Sequence, residues 1–258
     1  MKVTIDGKVC TAKPGQFIMA VAAENGISIP NLCHHAALPG QACCRLCIVE
    51  VRESKDGGAG GTATPQGGGT VVVSCTYPVK EGLQVATQSE RIRSLRRTVL
   101  ALLKEEAPAA EGALKAYCDE YAVPDYGLHF NVDPAGKCIL CGLCSKACEE
   151  LGNCAIQTTM RGIDKVVAPP FNEPPEACIG CAACARVCPT GAIECVLDTA
   201  GQGTRKIWGK TFELARCVAC GKPYATTEEL AWLKAKLLDT DLNLQYCPTC
   251  RPKASIVS

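Results

Sequence analysis

The sequence predicts an α+β chain built from several small domains, and three observations carry that expectation. There are 21 cysteines in 258 residues, most of them in pairs with two residues between. Hairpin-type strand signals alternate with runs of helical period. Aromatic residues make up only 5% of the chain, so the apolar core is light and part of the folding energy has to come from bound groups. In an exported chain so many cysteines would mean disulfides. The odd count, the paired spacing and a polar start (Met-Lys-Val-Thr-Ile-Asp-Gly-Lys) instead point to metal ligation in a reducing, cytoplasmic setting. A net charge of +1 without a basic tract argues against nucleic acid or an acidic membrane surface. The apolar stretches, 99–103 among them, are far too short to span a bilayer.

The first domain is expected over residues 1–88. Asp6-Gly7 between residues 2–5 and 8–11 is a two-residue hairpin signal. Phe17, Ala20, Val21 and Glu24 follow helical spacing over 17–24, and Asn25-Gly26 supplies the stop. Strand-like runs follow at 48–51 and 71–74. Between and after these lie Cys33, Cys44, Cys47 and Cys75, a four-cysteine set with one close pair. It suits a [2Fe–2S] cluster wrapped by a loop and closed from a later strand, although the first gap is ten residues rather than the plant-type four. Cys43 is the rival of Cys44; Cys44 keeps both the ten-residue gap and the close pair. His34 and His35 read as hydrogen-bonding or surface residues. The glycine-rich run 56–69 lacks lysine and P-loop order and reads as a flexible loop.

Residues 89–130 read as a helical connector. Ser89 can cap a helix with Glu90 in its first turn, and Ile92, Leu95, Val99 and Leu102 recur as a buried stripe. Arg91, Arg93, Arg96 and Arg97 fall off that stripe, on a solvated face or one that docks an acidic partner. A second helix is expected over 111–121.

Residues 131–200 hold Cys138, Cys141, Cys144 and Cys148, and again Cys178, Cys181, Cys184 and Cys188 followed by Pro189. Three cysteines two residues apart wrap three corners of a [4Fe–4S] cube, and the fourth, on the following helix, reaches the other cube. This is the bacterial-type double [4Fe–4S] ferredoxin pattern. It assigns Cys138, Cys141, Cys144 and Cys188 to one cluster and Cys178, Cys181, Cys184 and Cys148 to the other. Structural cysteines or a pair of zinc sites are the competing readings. Each loop should lead to a short helix and a strand-like exit, at 152–156 and 190–193, with 161–175 as an insertion. Cys154 and Cys195 are surplus and expected to pack as small apolar residues.

The tail, 205–258, carries Cys217, Cys220, Cys247 and Cys250 around a helix. Thr226 and Glu229 form its capping box, and Leu230, Leu233, Leu237 and Leu238 its apolar face. Two close pairs on two loops suit a Cys₄ zinc site, with a further iron–sulfur cluster as the alternative.

Residues 29–35 (Ile-Pro-Asn-Leu-Cys-His-His), 44–47 (Cys-Arg-Leu-Cys) and 74–79 (Ser-Cys-Thr-Tyr-Pro-Val) resemble the N-terminal β-grasp ferredoxin domain of complex I's large iron–sulfur subunit. They are equally similar to relatives in the diaphorase modules of NAD-linked hydrogenases and formate dehydrogenases. In that family the connector normally holds a histidine and three cysteines for another cluster. This chain has only Cys118 there, so that cluster is expected to be missing. The Cys217 region also resembles the tail of some hydrogenase-associated ferredoxin-like subunits. The resemblance implies an electron-transfer subunit of a soluble NAD(P)H-linked oxidoreductase complex. One partner would be a flavin subunit that handles the nicotinamide; the other would be a hydrogenase, formate dehydrogenase or similar redox subunit. No Gly-x-Gly-x-x-Gly fingerprint for a nucleotide site and no catalytic constellation appears in the chain. A self-standing ferredoxin-like carrier and an iron–sulfur redox sensor are the alternative functions.

Overall fold

A computed structural model describes residues 1–53, 69–130, 132–200, 203–236 and 243–251. Residues 56–68 of the glycine-rich run, and Leu237 and Leu238 of the tail helix, lie outside the described residues. The chain forms two compact units, Met1–Leu143 with Pro189–Ala192, and Cys144–Cys188 with Ile193–Ser258.

The first unit begins with β1 (Lys2–Ile5) and β2 (Lys8–Thr11), paired antiparallel across Asp6-Gly7. Both turn residues have positive φ, 48° and 83°, as the primed hairpin turn requires. Next come α1 (Ile18–Glu24), β3 (Ile48–Arg52), β4 (Thr70–Val73) and β5 (Gln84–Ala86). The mixed sheet runs β2-β1-β5-β3-β4, with β1 and β5 parallel and the other pairs antiparallel. Its core is a contiguous set including Val3, Ile5, Ile18, Val21, Val49, Val51, Leu83 and Val85. The two helical connector elements, α2 (Glu90–Glu106) and α3 (Gly112–Glu120), pack on each other, and α2 also packs on β3.

Ser89 caps α2, accepting from Ile92 N at 3.2 Å. The buried stripe differs from the expected one, however. Ile92, Arg96, Leu100 and Ala101 are buried, whereas Leu95 and Leu102 are exposed. The period is right and the phase is turned, because Arg96 finds carbonyl partners inside and takes a place that apolarity alone reserves for leucine. The neighbouring arginines have partners within the unit: Arg91 pairs with Glu50, Arg93 lies over the Tyr121 ring, and Arg97 reaches the Tyr121 carbonyl.

The second unit contains α4 (Leu143–Glu150), β6 (Gln157–Thr159), β7 (Val166–Ala168), α5 (Ala183–Arg186) and β8 (Cys195–Asp198). It continues with β9 (Thr204–Ile207), β10 (Lys210–Arg216), β11 (Pro223–Thr226) and α6 (Thr227–Lys236). Strands β11-β10-β9-β8 form one antiparallel sheet, and β6 pairs with β7. The expected strand exits at 152–156 and 190–193 are displaced. The backbone after Cys148 is spent around that cysteine: Asn153 and Cys154 donate to its carbonyl and Ala155 to its sulfur. Residues 189–192 lie in the first unit, where Pro189 and Thr190 accept from Ala113 and Glu111. The segment read as an insertion supplies β7 as the partner of β6. Cys154 is exposed rather than packed, while Cys195 is partly buried against Ile207 and Phe212.

Candidate cluster and metal centres

In the first unit Cys33, Cys44, Cys47 and Cys75 are all buried, at 1%, 5%, 1% and 3% exposure. Cys44 N donates to Cys33 Sγ at 3.4 Å. Ser74 joins the other two cysteines: its N and Oγ both donate to the Cys47 carbonyl, at 3.1 and 2.7 Å, and Cys75 follows it. The free N–H groups of α1 are satisfied around Cys75, with Ile18 donating to Tyr77 and Met19 to Ser74. One end of α1 thereby fixes the loop that closes the site. Crowding has an electrostatic signature. Cys33 is held far below the ordinary thiol range, first by the Cys43 thiol and then by that of Cys44.

Cys43 is exposed and its Sγ lies 3.2 Å from the Cys141 carbonyl. The rival cysteine thus also reaches toward Cys141, in the same unit. His35 Nδ1 accepts from Ala37 N, the hydrogen-bonding role expected of it.

Arg96 is the feature that sequence reasoning missed. It is fully buried, and donates from Nε to Leu46 O at 3.1 Å, from Nη2 to Ile48 O at 2.9 Å, and from Nη1 to Tyr121 Oη at 3.0 Å. With Ser74 on Cys47, three successive carbonyls around that cysteine are satisfied. The available signal was an arginine four residues from Ile92 and Leu100, in register with the buried face rather than off it.

Cys138 and Cys141 belong to the first unit, Cys144 and Cys188 to the second. In the second unit, Cys148, Cys178, Cys181 and Cys184 line one cavity together with Ile156, Ile207 and Trp208. These are the four cysteines that the spacing assigns to the second cluster. Ala155 N approaches Cys148 Sγ at 3.2 Å, and Trp208 Nε1 approaches Cys184 Sγ at 3.5 Å. Burial pushes Cys184 up to about 11, against the opposing bond from Trp208.

Residues of β9, β10 and β11 brace this ligand loop through its carbonyls. Arg205 donates to Gly180 O at 2.7 Å, Thr226 Oγ1 to Ile179 O at 2.5 Å, and Lys210 Nζ to Pro175, Glu176 and Cys178 O. Strands within the segment read as a cysteine-bearing tail therefore hold the Cys178 loop in place. A left-handed residue lies inside every close cysteine pair of the cluster motifs: Arg45, Leu140, Gly142, Gly180 and Ala182. Such residues turn successive N–H groups inward, the backbone geometry that receives anionic centres. Gly180 is doubly constrained, since a Cβ there would meet the Phe212 ring at 2.7 Å with φ +68°.

The last four cysteines converge most closely. The sulfurs of Cys217, Cys220, Cys247 and Cys250 all lie within 4.8 Å of one another, with Cys220 and Cys247 3.9 Å apart. The N–H of Cys247 leads in lowering Cys217 to about 6. Thr226 caps α6 by accepting from Glu229 N at 3.0 Å, while Leu230 and Leu233 are only partly buried.

Residues 1–90 match the model of a 2Fe-2S iron-sulfur cluster binding domain, and residues 174–194 that of a 4Fe-4S binding domain. The NADP-reducing hydrogenase subunit HndD of Solidesulfovibrio fructosivorans is 29% identical over 222 residues, 75% of this chain and 36% of that protein. An NADH-quinone oxidoreductase subunit of Rhizobium meliloti is 27% identical over 217 residues, 75% of this chain and 24% of that protein. A chain in the crystal structure of an NAD+-reducing [NiFe]-hydrogenase in the H2-reduced state superposes with a TM-score of 0.60 at 27% identity, covering 74% of this chain and 85% of that one.

The chain is homologous to subunits of NAD(P)-linked hydrogenases and of NADH-quinone oxidoreductase. The expected resemblance and the α+β ferredoxin architecture both hold. This homologue spans only about a quarter to a third of the length of those two curated relatives. Among its described residues no helix is long and apolar enough to cross a membrane.

Proposed function

We propose that the chain is an iron–sulfur electron-transfer subunit of an NAD(P)H-linked oxidoreductase complex of the hydrogenase, formate dehydrogenase or electron-bifurcating type, working in the cytoplasm. It would relay electrons between a flavin subunit that handles the nicotinamide and a second redox subunit. The observation that carries this reading is the combination in one homologous chain of a buried Cys33/Cys44/Cys47/Cys75 set and a cavity lined by Cys148, Cys178, Cys181 and Cys184.

Cys33, Cys44, Cys47 and Cys75 would hold a [2Fe–2S] group. Cys138, Cys141, Cys144 and Cys188 would hold one [4Fe–4S] group, and Cys178, Cys181, Cys184 and Cys148 another. Bound there, the groups supply one-electron chemistry. The chain's own part is to fix sulfur positions and aim N–H donors at them, as Ala155, Trp208 and Cys44 do. The Cys43–Cys141 approach supports a direct passage between the first two ligand loops.

Cys217, Cys220, Cys247 and Cys250 would hold zinc. A Zn–S distance of ~2.3 Å implies a tetrahedral edge of ~3.8 Å, close to the observed Cys220–Cys247 separation of 3.9 Å. The thiolates of a cubane stand outside four separate irons and lie farther apart, so the compact set favours one ion over a third cubane.

The test is reduction of the anaerobic chain by NAD(P)H with and without its flavin subunit. Reduction only in the presence of that subunit is expected. A chain that stays monomeric and exchanges electrons with several unrelated enzymes would be a free-standing carrier instead.

A further inference from the structure

We propose that Arg96 is the buried counter-ion of the [2Fe–2S] site, a positioning residue that holds the Cys47 loop and raises that centre's affinity for an electron. This rests on the ligand reading of Cys33, Cys44, Cys47 and Cys75.

Among the described residues Arg96 is the largest side chain that is fully buried. Its hydrogen-bond partners are two main-chain carbonyls and a phenol, all neutral. Among the described residues the ion pairs of the first unit engage the N-terminus, Lys80, Arg91, Arg97, Lys115 and Lys137, and none of them includes Arg96. Arginine is rarely buried without an acid beside it, because a desolvated cation in neutral surroundings is costly. The second unit shows the usual solution: buried Arg205 also bonds a ligand-loop carbonyl, at Gly180, but has the Glu229 carboxylate 3.7 Å away.

Among the described residues no salt bridge gives Arg96 a carboxylate, and a negative charge near residues 46–48 would balance it. The four-cysteine set provides one. Four thiolates around a [2Fe–2S] core carry net negative charge, and reduction adds one electron to it. A fixed cation behind Cys47 favours the more negative, reduced state, and net charge near a cluster is one of the determinants of its potential. The forked guanidinium spans Leu46 O and Ile48 O, so the same group that supplies the charge also sets the path of the backbone at Cys47.

The experiment is an anaerobic redox titration of the full chain, with dithionite as reductant, read by the EPR signal of the [2Fe–2S] centre. Arg96→Gln removes the charge, Arg96→Lys keeps it, and Tyr121→Phe removes only a neutral partner. Arg96→Gln is expected to shift the balance about tenfold toward the oxidised form, 59 mV to lower potential for one electron, with Arg96→Lys and Tyr121→Phe staying near the parent. Loss of the centre in Arg96→Gln but not in Arg96→Lys also supports the counter-ion role. An unchanged potential in Arg96→Gln overturns it. Equal loss of the centre in both arginine variants overturns it too, leaving Arg96 a packing residue. If the parent chain gives no [2Fe–2S] signal at all, the ligand reading itself has failed, a result distinct from either.

Discussion

At the scale of single residues, Cys43 and Cys44 stand side by side, both thiols reach Cys33, and the two differ in burial. Cys44 is buried and its N–H points at Cys33 Sγ, whereas Cys43 is exposed with its sulfur at the Cys141 carbonyl. Positive φ at Ala42 and Arg45 (52° and 57°) turns the chain sharply on either side of the pair. Cys44→Ser is expected to abolish the [2Fe–2S] EPR signal, because an alcohol does not replace a thiolate ligand at neutral pH. Cys43→Ser is expected to keep it. The reverse result would move the ligand by one position and leave the ten-residue gap without meaning.

At the scale of elements, helix α2 shows how far periodicity reaches. Its start was legible, since Ser89 and Glu90 are a local cap signal and the cap bond forms as expected. Its buried face was not, because a hydrophobic stripe treats arginine as solvent-facing and cannot know that carbonyls at 46 and 48 await it. The same limit applies to the [4Fe–4S] loops. Cysteine spacing is a local property and carries the proposed ligand sets, while the bracing of Gly180 by Arg205 and of Ile179 by Thr226 is long-range and could not be read. Ser89 has a second task beyond the cap. Its Oγ donates to the buried carboxylate of Glu50 at 2.6 Å, so the cap ties α2 to strand β3. Ser89→Ala removes both bonds and is expected to destabilise the first unit by about 1–2 kcal/mol. A urea titration followed by the visible absorption of the iron–sulfur groups would show the midpoint falling, and Ser89→Thr should recover most of it. No change in midpoint would mean that Glu50 is held by Arg91 alone.

At the scale of the whole molecule, the proposed inventory is a sum that metal analysis can check. Two, four and four irons make about ten irons per chain, and the compact Cys₄ set adds about one zinc. About fourteen irons without zinc would make the tail a third cubane. The tail also permits a sharper test, because its two tasks lie at different places along the sheet. Arg205 is on β9 and Lys210 at the start of β10, where they hold the Cys178 loop; Cys217 follows the far end of β10. Strand β9 is paired on both sides, to β8 and β10, independently of the Cys₄ set. Cys250→Ser is therefore expected to release zinc while iron stays at about ten. A parallel fall of iron to about six would mean that the Cys₄ site supports the second [4Fe–4S] loop through β11 and Thr226, and that zinc loading precedes cluster loading in assembly.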